Sequence, residues 1–278
     1  MAVLVGQTRW VSDGDTYTHG HDAAVLRSHS QRSVENSAAY LRPHLRRGQS
    51  LLDVGCGPAT ITAEFAAIVG PGQVVGIEMN DDIVETARRT CADAGVEVEV
   101  RRGDVYALES DDDTFDVVHA HQVLQHLSDP VKALREMRRV CRPDGLVACR
   151  DADYGSFHWW PPEPRIDRWN DVYHRVTVHN RAQADAGRWL RSWALSAGFA
   201  EVDTSGSMWA FATAEQRSWW AELWADRSSP GSSFADQAIE YGFATEADLA
   251  EIGAGFSAWA ADDRAVFFVP HGEILCRP

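Results

Sequence analysis

Residues 51 to 57, Leu-Leu-Asp-Val-Gly-Cys-Gly, form a short apolar run that ends in two glycines. A second run ending in an acid, Val74-Val75-Gly76-Ile77-Glu78, follows about one βαβ crossover later. Gly55 and Gly57 lack the Cβ atoms that would keep a ligand off the backbone at a strand-to-helix turn. Glu78 arrives at the tip of the neighbouring strand, where one carboxylate can accept hydrogen bonds from both hydroxyls of a ribose. The chemistry these residues suit is the binding of an adenosine-containing cofactor.

Two kinds of cofactor use such a half-fold, and the spacing separates them. A dinucleotide fingerprint places a third glycine in the opening turn of the helix, where backbone amides take the pyrophosphate. Here that position is Thr60, preceded by Pro58 and Ala59. The segment Asp53-Val54-Gly55-Cys56-Gly57-Pro58 instead resembles the first motif of the class I methyltransferases that use S-adenosylmethionine (SAM), a cofactor without phosphate. Arg101-Arg102-Gly103-Asp104-Val105 resembles that family's segment after strand 3. Phe115-Asp116-Val117-Val118-His119-Ala120-His121-Gln122 and the residues to Leu127 resemble its fourth strand and loop. Arg139-Val140-Cys141-Arg142-Pro143-Asp144-Gly145-Leu146 resembles the turn before strand 5. The likeness is greatest to the branch with the quinone-biosynthesis C-methyltransferases and many small-molecule methyltransferases, and its motifs cover residues 15 to 154.

The resemblance implies SAM as cofactor, with Glu78 on the ribose beside Met79, Asp104 on the adenine amino group and Val105 packed on the ring. His121 and Gln122 would contact the cofactor near its sulfur. Tyr17 and Arg32, in a segment that closes over SAM in related enzymes, would reach the methionine carboxylate; Arg32 offers a planar fork for it. Ala59 stands where many relatives have another glycine and is expected only to narrow the turn.

These residues need a scaffold, and the punctuation of the chain supplies one. Asn80-Asp81-Asp82 caps a helix ending near Ala94-Gly95, and Asp129-Pro130 opens another that runs to Val140. Strands are expected near 50–54, 73–78, 96–101, 115–120 and 145–151. Regular alternation means a doubly wound, Rossmann-like α/β sheet, mostly parallel. With Gly187 to Gly198 as helix and strands at 200–211 and 265–276, the family pattern gives seven strands. Trp159-Trp160-Pro161-Pro162-Glu163-Pro164 cannot continue a regular element. An amphipathic stretch at 165–180 follows, and capping boxes at Thr213/Gln216 and Thr245/Asp248 open further helices. The expected organisation is one methyltransferase domain over 1–278: an N-terminal helical cap at 1–48, a SAM-binding half at 49–154, and inserted helical lid segments at 155–186 and 213–262.

Methyl transfer is an in-line displacement in which the cofactor brings its own electrophile, so alignment and exclusion of water matter more than a strong acid and base. A hydroxyl or acidic carbon still gains from a base. His121 could serve, with Gln125 one turn on toward the transferring methyl and Tyr154 at the end of strand 5. Asp151 and Asp153 face the same region, with Asp153 taken as a substrate contact, while His119 and His126 read as structural. All but Trp10 of the eleven tryptophans lie beyond residue 155, and Trp159 and Trp160 are the expected walls of an aromatic substrate chamber.

Composition narrows the partners. With 41 acidic and 26 basic residues the formal net charge is -15, and the longest basic runs are Arg pairs, which argues against nucleic acid. No apolar run approaches the ~20 residues that cross a bilayer, and a signal-peptide pattern is absent, so a cytoplasmic location is expected. Cys56, Cys91, Cys141, Cys149 and Cys276 are scattered and odd in number, which reads as reduced core thiols. His19 and His21 have no carboxylate at useful spacing, and no metal is expected. The reading is a SAM-dependent methyltransferase acting on a small, partly aromatic or apolar molecule. Its rivals are a nicotinamide-dependent oxidoreductase and a non-catalytic SAM-binding protein.

Overall fold

The computed structural model describes residues 15, 16, 18, 31–70 and 73–278. In chain order the strands are β1 (Leu51–Val54), β2 (Val74–Glu78), β3 (Glu99–Arg102), β4 (Phe115–His121), β5 (Cys141–Ala152), β6 (His158–Trp160), β7 (Glu201–Phe211) and β8 (Val266–Arg277). The helices are α1 (Val34–Ser37), α2 (Thr60–Val69), α3 (Asp81–Asp93), α4 (Pro130–Val140), α5 (Pro164–His179), α6 (Ala186–Ala197), α7 (Ala214–Arg227), α8 (Ser233–Glu240) and α9 (Glu246–Ala260). The caps read from sequence are made: the Asn80 side chain accepts from the Asp82 and Ile83 amides, Asp129 from Lys132, and both capping boxes close.

All the strands among the described residues join one sheet, in the order β3-β2-β1-β4-β5-β8-β6 with β7 on the other side of β8. β1 to β5 pair in parallel, and β8 runs antiparallel to β5, β6 and β7. Beside the seven strands of the expected pattern there is one more. The chain leaves β5 through a 3-10 turn at Tyr154–Ser156 and resumes pairing with β8 as β6. Trp159 and Trp160 therefore continue a regular element, and the break falls at Pro161, two residues later than the proline-rich run suggested. The strand expected from 96 begins to pair only at Glu99, because Val96 to Val98 first wrap back over the end of α3.

Side-chain alternation in β1 sends Leu52 and Val54 to one face and Leu51 and Asp53 to the other. The first face packs on α4 and α6 through Leu134, Met137, Leu190 and Ala194. The second packs on α1 and α2 through Val34, Leu41 and Phe65. The inserted helices form a third core with β6 and the start of β8, centred on Trp169, Tyr173, Trp224, Phe256 and Phe267. No described helix is long and apolar enough to cross a membrane.

Candidate functional site

The turn after β1 is built from backbone that side chains disfavour. Gly55 has φ +64° and Gly57 φ +54°. A Cβ on Gly55 would also lie 2.5 Å from Cγ2 of Val123, in the loop after β4. Ala59 too adopts φ +62°, as the residue before α2, so its methyl does more than narrow the turn: it sits in a backbone well that costs an L-residue about 1–2 kcal/mol. Glu78 spans this turn. One carboxylate oxygen accepts the Gly57 amide at 3.2 Å and the other the Met79 amide at 2.7 Å. A carboxylate accepts about four hydrogen bonds, so two positions remain for a vicinal diol. The bare glycine turn and the half-used carboxylate at adjacent strand tips fit a nucleoside.

The loop after β3, where adenine is expected, is held by a device not anticipated from sequence. Asp104 accepts the Tyr106 amide at 2.9 Å in an Asx turn, and Val105 is buried beside it. The Tyr106 hydroxyl donates to Asp15 at 2.7 Å, while Asp15 accepts the Ser128 amide at 3.0 Å. One N-terminal carboxylate thereby ties the loop after β3 to the loop after β4. Burial and the Asp15 hydrogen bond push the Tyr106 phenol up to about 12.

At the tip of β4, Gln122 has φ +54°. Its side-chain oxygen accepts from Arg32 at 2.5 Å, and its side-chain nitrogen donates to His271 Nε2 at 2.9 Å. His271 Nδ1 in turn donates to the Val269 carbonyl, which makes His271 a neutral tautomer. His121 precedes Gln122 with its ring 6.0 Å from that of Trp209 and 6.3 Å from that of His271. Both His121 ring nitrogens are buried with no hydrogen-bond partner among the described residues. Burial, then the charges of Arg32 and Arg150, hold His121 well below the usual imidazole range.

Sheet register continues this polar patch. His121 pairs with Arg150 of β5, Arg150 with Glu273 of β8, and Glu273 with Ser205 of β7, one transverse row on the face that carries α1. Glu273 accepts from Ser205 at 2.8 Å, from Ser207 at 2.5 Å and from Arg150 Nε at 3.3 Å. Arg150 lies over Trp209 at 4.9 Å, and the Trp209 indole donates to the Asn36 carbonyl in α1. None of Arg150, Glu273, His271 or Trp209 was singled out from the sequence. The available signal was a charge directly after the apolar run Leu146 to Cys149 and polar residues at alternate positions of β8, which buried strands seldom carry unpaired.

The other expected site residues separate. Tyr17, like His19 and His21, lies outside the described residues. Gln125 is buried, but its side chain is committed to His126 at 2.9 Å and the Ala152 amide at 3.3 Å, so it braces the loop against β5 rather than pointing at a methyl. Asp151 does the same from below, accepting the Gln125 amide at 3.1 Å. Asp153 is held by both prongs of Arg188, at 2.8 and 2.5 Å, which clamps the end of β5 to α6. Tyr154 stacks between Phe157 and Tyr173 at 4.3 and 4.1 Å, inside the aromatic core of the inserted helices. Trp159 stacks on Phe267 in the same core, and Trp160 is 54% exposed, so the pair line an edge strand rather than one wall of a chamber. His119 is structural as read: it meets Asp53 at 2.7 Å, and Asp53 also accepts from Thr62.

Residues 45–193 match a family described as a methyltransferase domain. Over 268 residues the chain is 32% identical to an uncharacterised methyltransferase of Schizosaccharomyces pombe, across 93% of this chain and 95% of that one. The chain belongs to the methyltransferase family. This methyltransferase is also 31% identical over 175 residues to the ubiquinone/menaquinone biosynthesis C-methyltransferase of Idiomarina loihiensis, across 57% of this chain and 69% of that one. Its fold is shared with a phosphoethanolamine N-methyltransferase of Haemonchus contortus solved with S-adenosyl-L-methionine. That likeness has a TM-score of 0.54 at 17% identity and covers 86% of this chain and 51% of that one. The cofactor of the methyltransferase is SAM.

Proposed function

We propose that this methyltransferase modifies a small molecule at the tips of β4 and β5, with SAM held over β1 and β2. The observation that carries the proposal is the continuity of two unlike surfaces along one strand-tip edge. A glycine turn with a half-used Glu78 carboxylate stands at one end, and a polar cluster buried beneath residues 31–45 at the other. A group as deep as His121, 5% exposed, is reachable by a compact molecule and not by the surface of a folded protein or duplex.

SAM, when bound, supplies a methyl group already activated on a sulfonium. The chain's own residues then have three tasks. Glu78 fixes the ribose, with Gly55 and Gly57 allowing close approach and Met79 alongside. Asp104 and Val105 take the adenine. Arg32 and Gln122, joined to each other, take the charged amino-acid end, with Tyr17 as a further candidate from the N-terminal segment. In this reading residues 1–48 are the cap, 49–154 the cofactor half, and the helices of 155–186 and 213–262 the layer that walls off solvent. A nicotinamide cofactor is disfavoured because Pro58 lacks an amide hydrogen and Ala59 occupies the turn where a pyrophosphate would need bare backbone.

Calorimetric titration with SAM and with NAD should show binding of SAM alone. Incubation with SAM and fractionated small-molecule extracts should then release S-adenosylhomocysteine together with a product heavier by one methylene. Binding of SAM with no turnover on any such fraction, but turnover on protein or nucleic acid, would overturn the small-molecule reading.

A further inference from the structure

Arg150 presents an imbalance that the cofactor half does not use. A guanidinium has five N–H donors. The single Nε–H of Arg150 is shared between Ser207 at 3.0 Å and Glu273 at 3.3 Å, while Nη1 and Nη2 have no hydrogen-bond partner among the described residues. The residue is 1% exposed, so water does not simply replace the missing partners. A buried charged donor left unmade costs on the order of 1–3 kcal/mol or more, and a strand interior does not carry it without a compensating use. Beside it the two ring nitrogens of His121 and the hydroxyl of Tyr40 are also buried and unpartnered among the described residues.

Resting on the reading of a small-molecule acceptor, we propose that the Arg150 fork, with His121 and Tyr40, is the seat of an oxyanion of that acceptor, a carboxylate or an ionised phenol or enol. The planar fork matches two oxygens or two lone pairs of one oxygen. Trp209, held over Arg150 and bonded to the Asn36 carbonyl, provides an aromatic wall for the ring or chain that bears the oxyanion. The charge balance points the same way. Arg150 has Glu273 as its one ion-pair partner among the described residues, and burial biases both His121 and Asp151 toward their neutral forms. The seat lies on β5, one strand beyond the Arg32–Gln122 pair at β4 and three strands from Glu78, outside the reach required of the ribose end. Because His121 resists protonation, an acceptor that arrives already ionised spares the chain an uphill proton transfer.

The test uses the full chain loaded with S-adenosylhomocysteine and titrated calorimetrically with benzoate and 4-nitrophenolate, with benzamide and nitrobenzene as neutral partners of the same shape. At least one oxyanion should bind and its neutral partner should not, and the stronger of the two identifies the source. R150Q should weaken that oxyanion about tenfold or more while leaving S-adenosylhomocysteine affinity and melting temperature near those of the parent. E273Q keeps an acceptor oxygen for Ser207 and Arg150, can donate to the Ser205 hydroxyl in place of accepting from it, and removes the counter-charge, so it should bind the oxyanion more tightly. Equal affinity for charged and neutral probes overturns the seat, as does an R150Q variant that melts normally and binds the oxyanion like the parent. An R150Q variant that melts normally yet loses S-adenosylhomocysteine would give the fork to the cofactor instead. If R150Q does not fold, E273Q decides: tighter binding supports the seat, and unchanged or weaker binding overturns it. Failure of the parent to bind S-adenosylhomocysteine would strike the cofactor reading and is separate from either result.

Discussion

At the scale of single residues, the methyltransferase uses its acids for opposite purposes. Glu78 is half-buried, with two of its hydrogen-bonding positions already filled by the Gly57 and Met79 amides, so it is oriented before any ligand arrives. Glu78→Ala is expected to weaken SAM by roughly 1.5–3 kcal/mol, the size of losing hydrogen bonds to a charged group, and calorimetry reads that directly. Unchanged affinity in a folded variant would assign Glu78 to the turn alone. Asp151 is fully buried, and desolvation raises it to about 8. An unfolded aspartate sits near 4, so the native state holds a proton that the unfolded chain releases. The stability this group contributes is complete below about pH 4 and is lost as pH climbs toward 8. Asp151→Asn cannot ionise and keeps the acceptor for the Gln125 amide. Denaturant melts should find its stability rising relative to the parent between about pH 4 and 8; a pH-independent difference would mean that Asp151 does not take up a proton on folding.

At the scale of elements, the junctions matter more than the helices and strands they join. The end of β5 is fastened to α6 by Asp153 and Arg188, and the loop after β4 is fastened to β5 by Gln125 and Asp151. The Arg188 side chain is about half exposed, which screens the pair, but Asp153 is not, and removing the arginine strands a buried carboxylate. Arg188→Leu should cost roughly 1–3 kcal/mol in urea unfolding and leave S-adenosylhomocysteine affinity unchanged. A loss of affinity without loss of stability would assign the Asp153–Arg188 pair to the cofactor site instead. On the other side of the edge, Asp15 links Tyr106 to the Ser128 amide. Tyr106→Phe removes that link without touching a core, and a faster dissociation of SAM by stopped-flow is the expected outcome; an unaltered rate would leave the link without a part in retention.

For the molecule as a whole, the inserted helices carry a core of their own. Trp169, Trp224 and Phe256 meet at ring distances of 4.3 to 6.1 Å with Trp224 fully buried, and Thr18 is pinned to the same layer by Asn180 and Gln237. Trp224→Ala should destabilise the protein by about 3–5 kcal/mol. Hydrogen exchange in α5 and α9 is expected to be slow before ligand is added and little changed after it, because amides under an aromatic core open only with that core. Strong ligand-dependent slowing there would mean a layer that assembles around the substrate.

The parts legible in the sequence were those carried by local rules. Caps at Asn80, Asp129, Thr213 and Thr245 satisfy helix ends within four residues of themselves, and strand runs ending in glycine or an acid mark strand tips, so the alternating fold and the places of Gly55, Gly57, Glu78 and Asp104 at those tips could be read in order along the chain. The tryptophans could be counted but not placed, since aromatic bulk serves a core and a pocket wall equally; only packing put Trp159 and Tyr154 against Phe267 and Tyr173. The row His121, Arg150, Glu273 and Ser205 was equally invisible. Its members come from four strands up to 152 residues apart, brought side by side by the parallel register of β4 with β5 and the antiparallel register of β8 with β5 and β7. Local propensity is silent on such pairings because their energy comes from burial and hydrogen bonds that exist only once the sheet has formed.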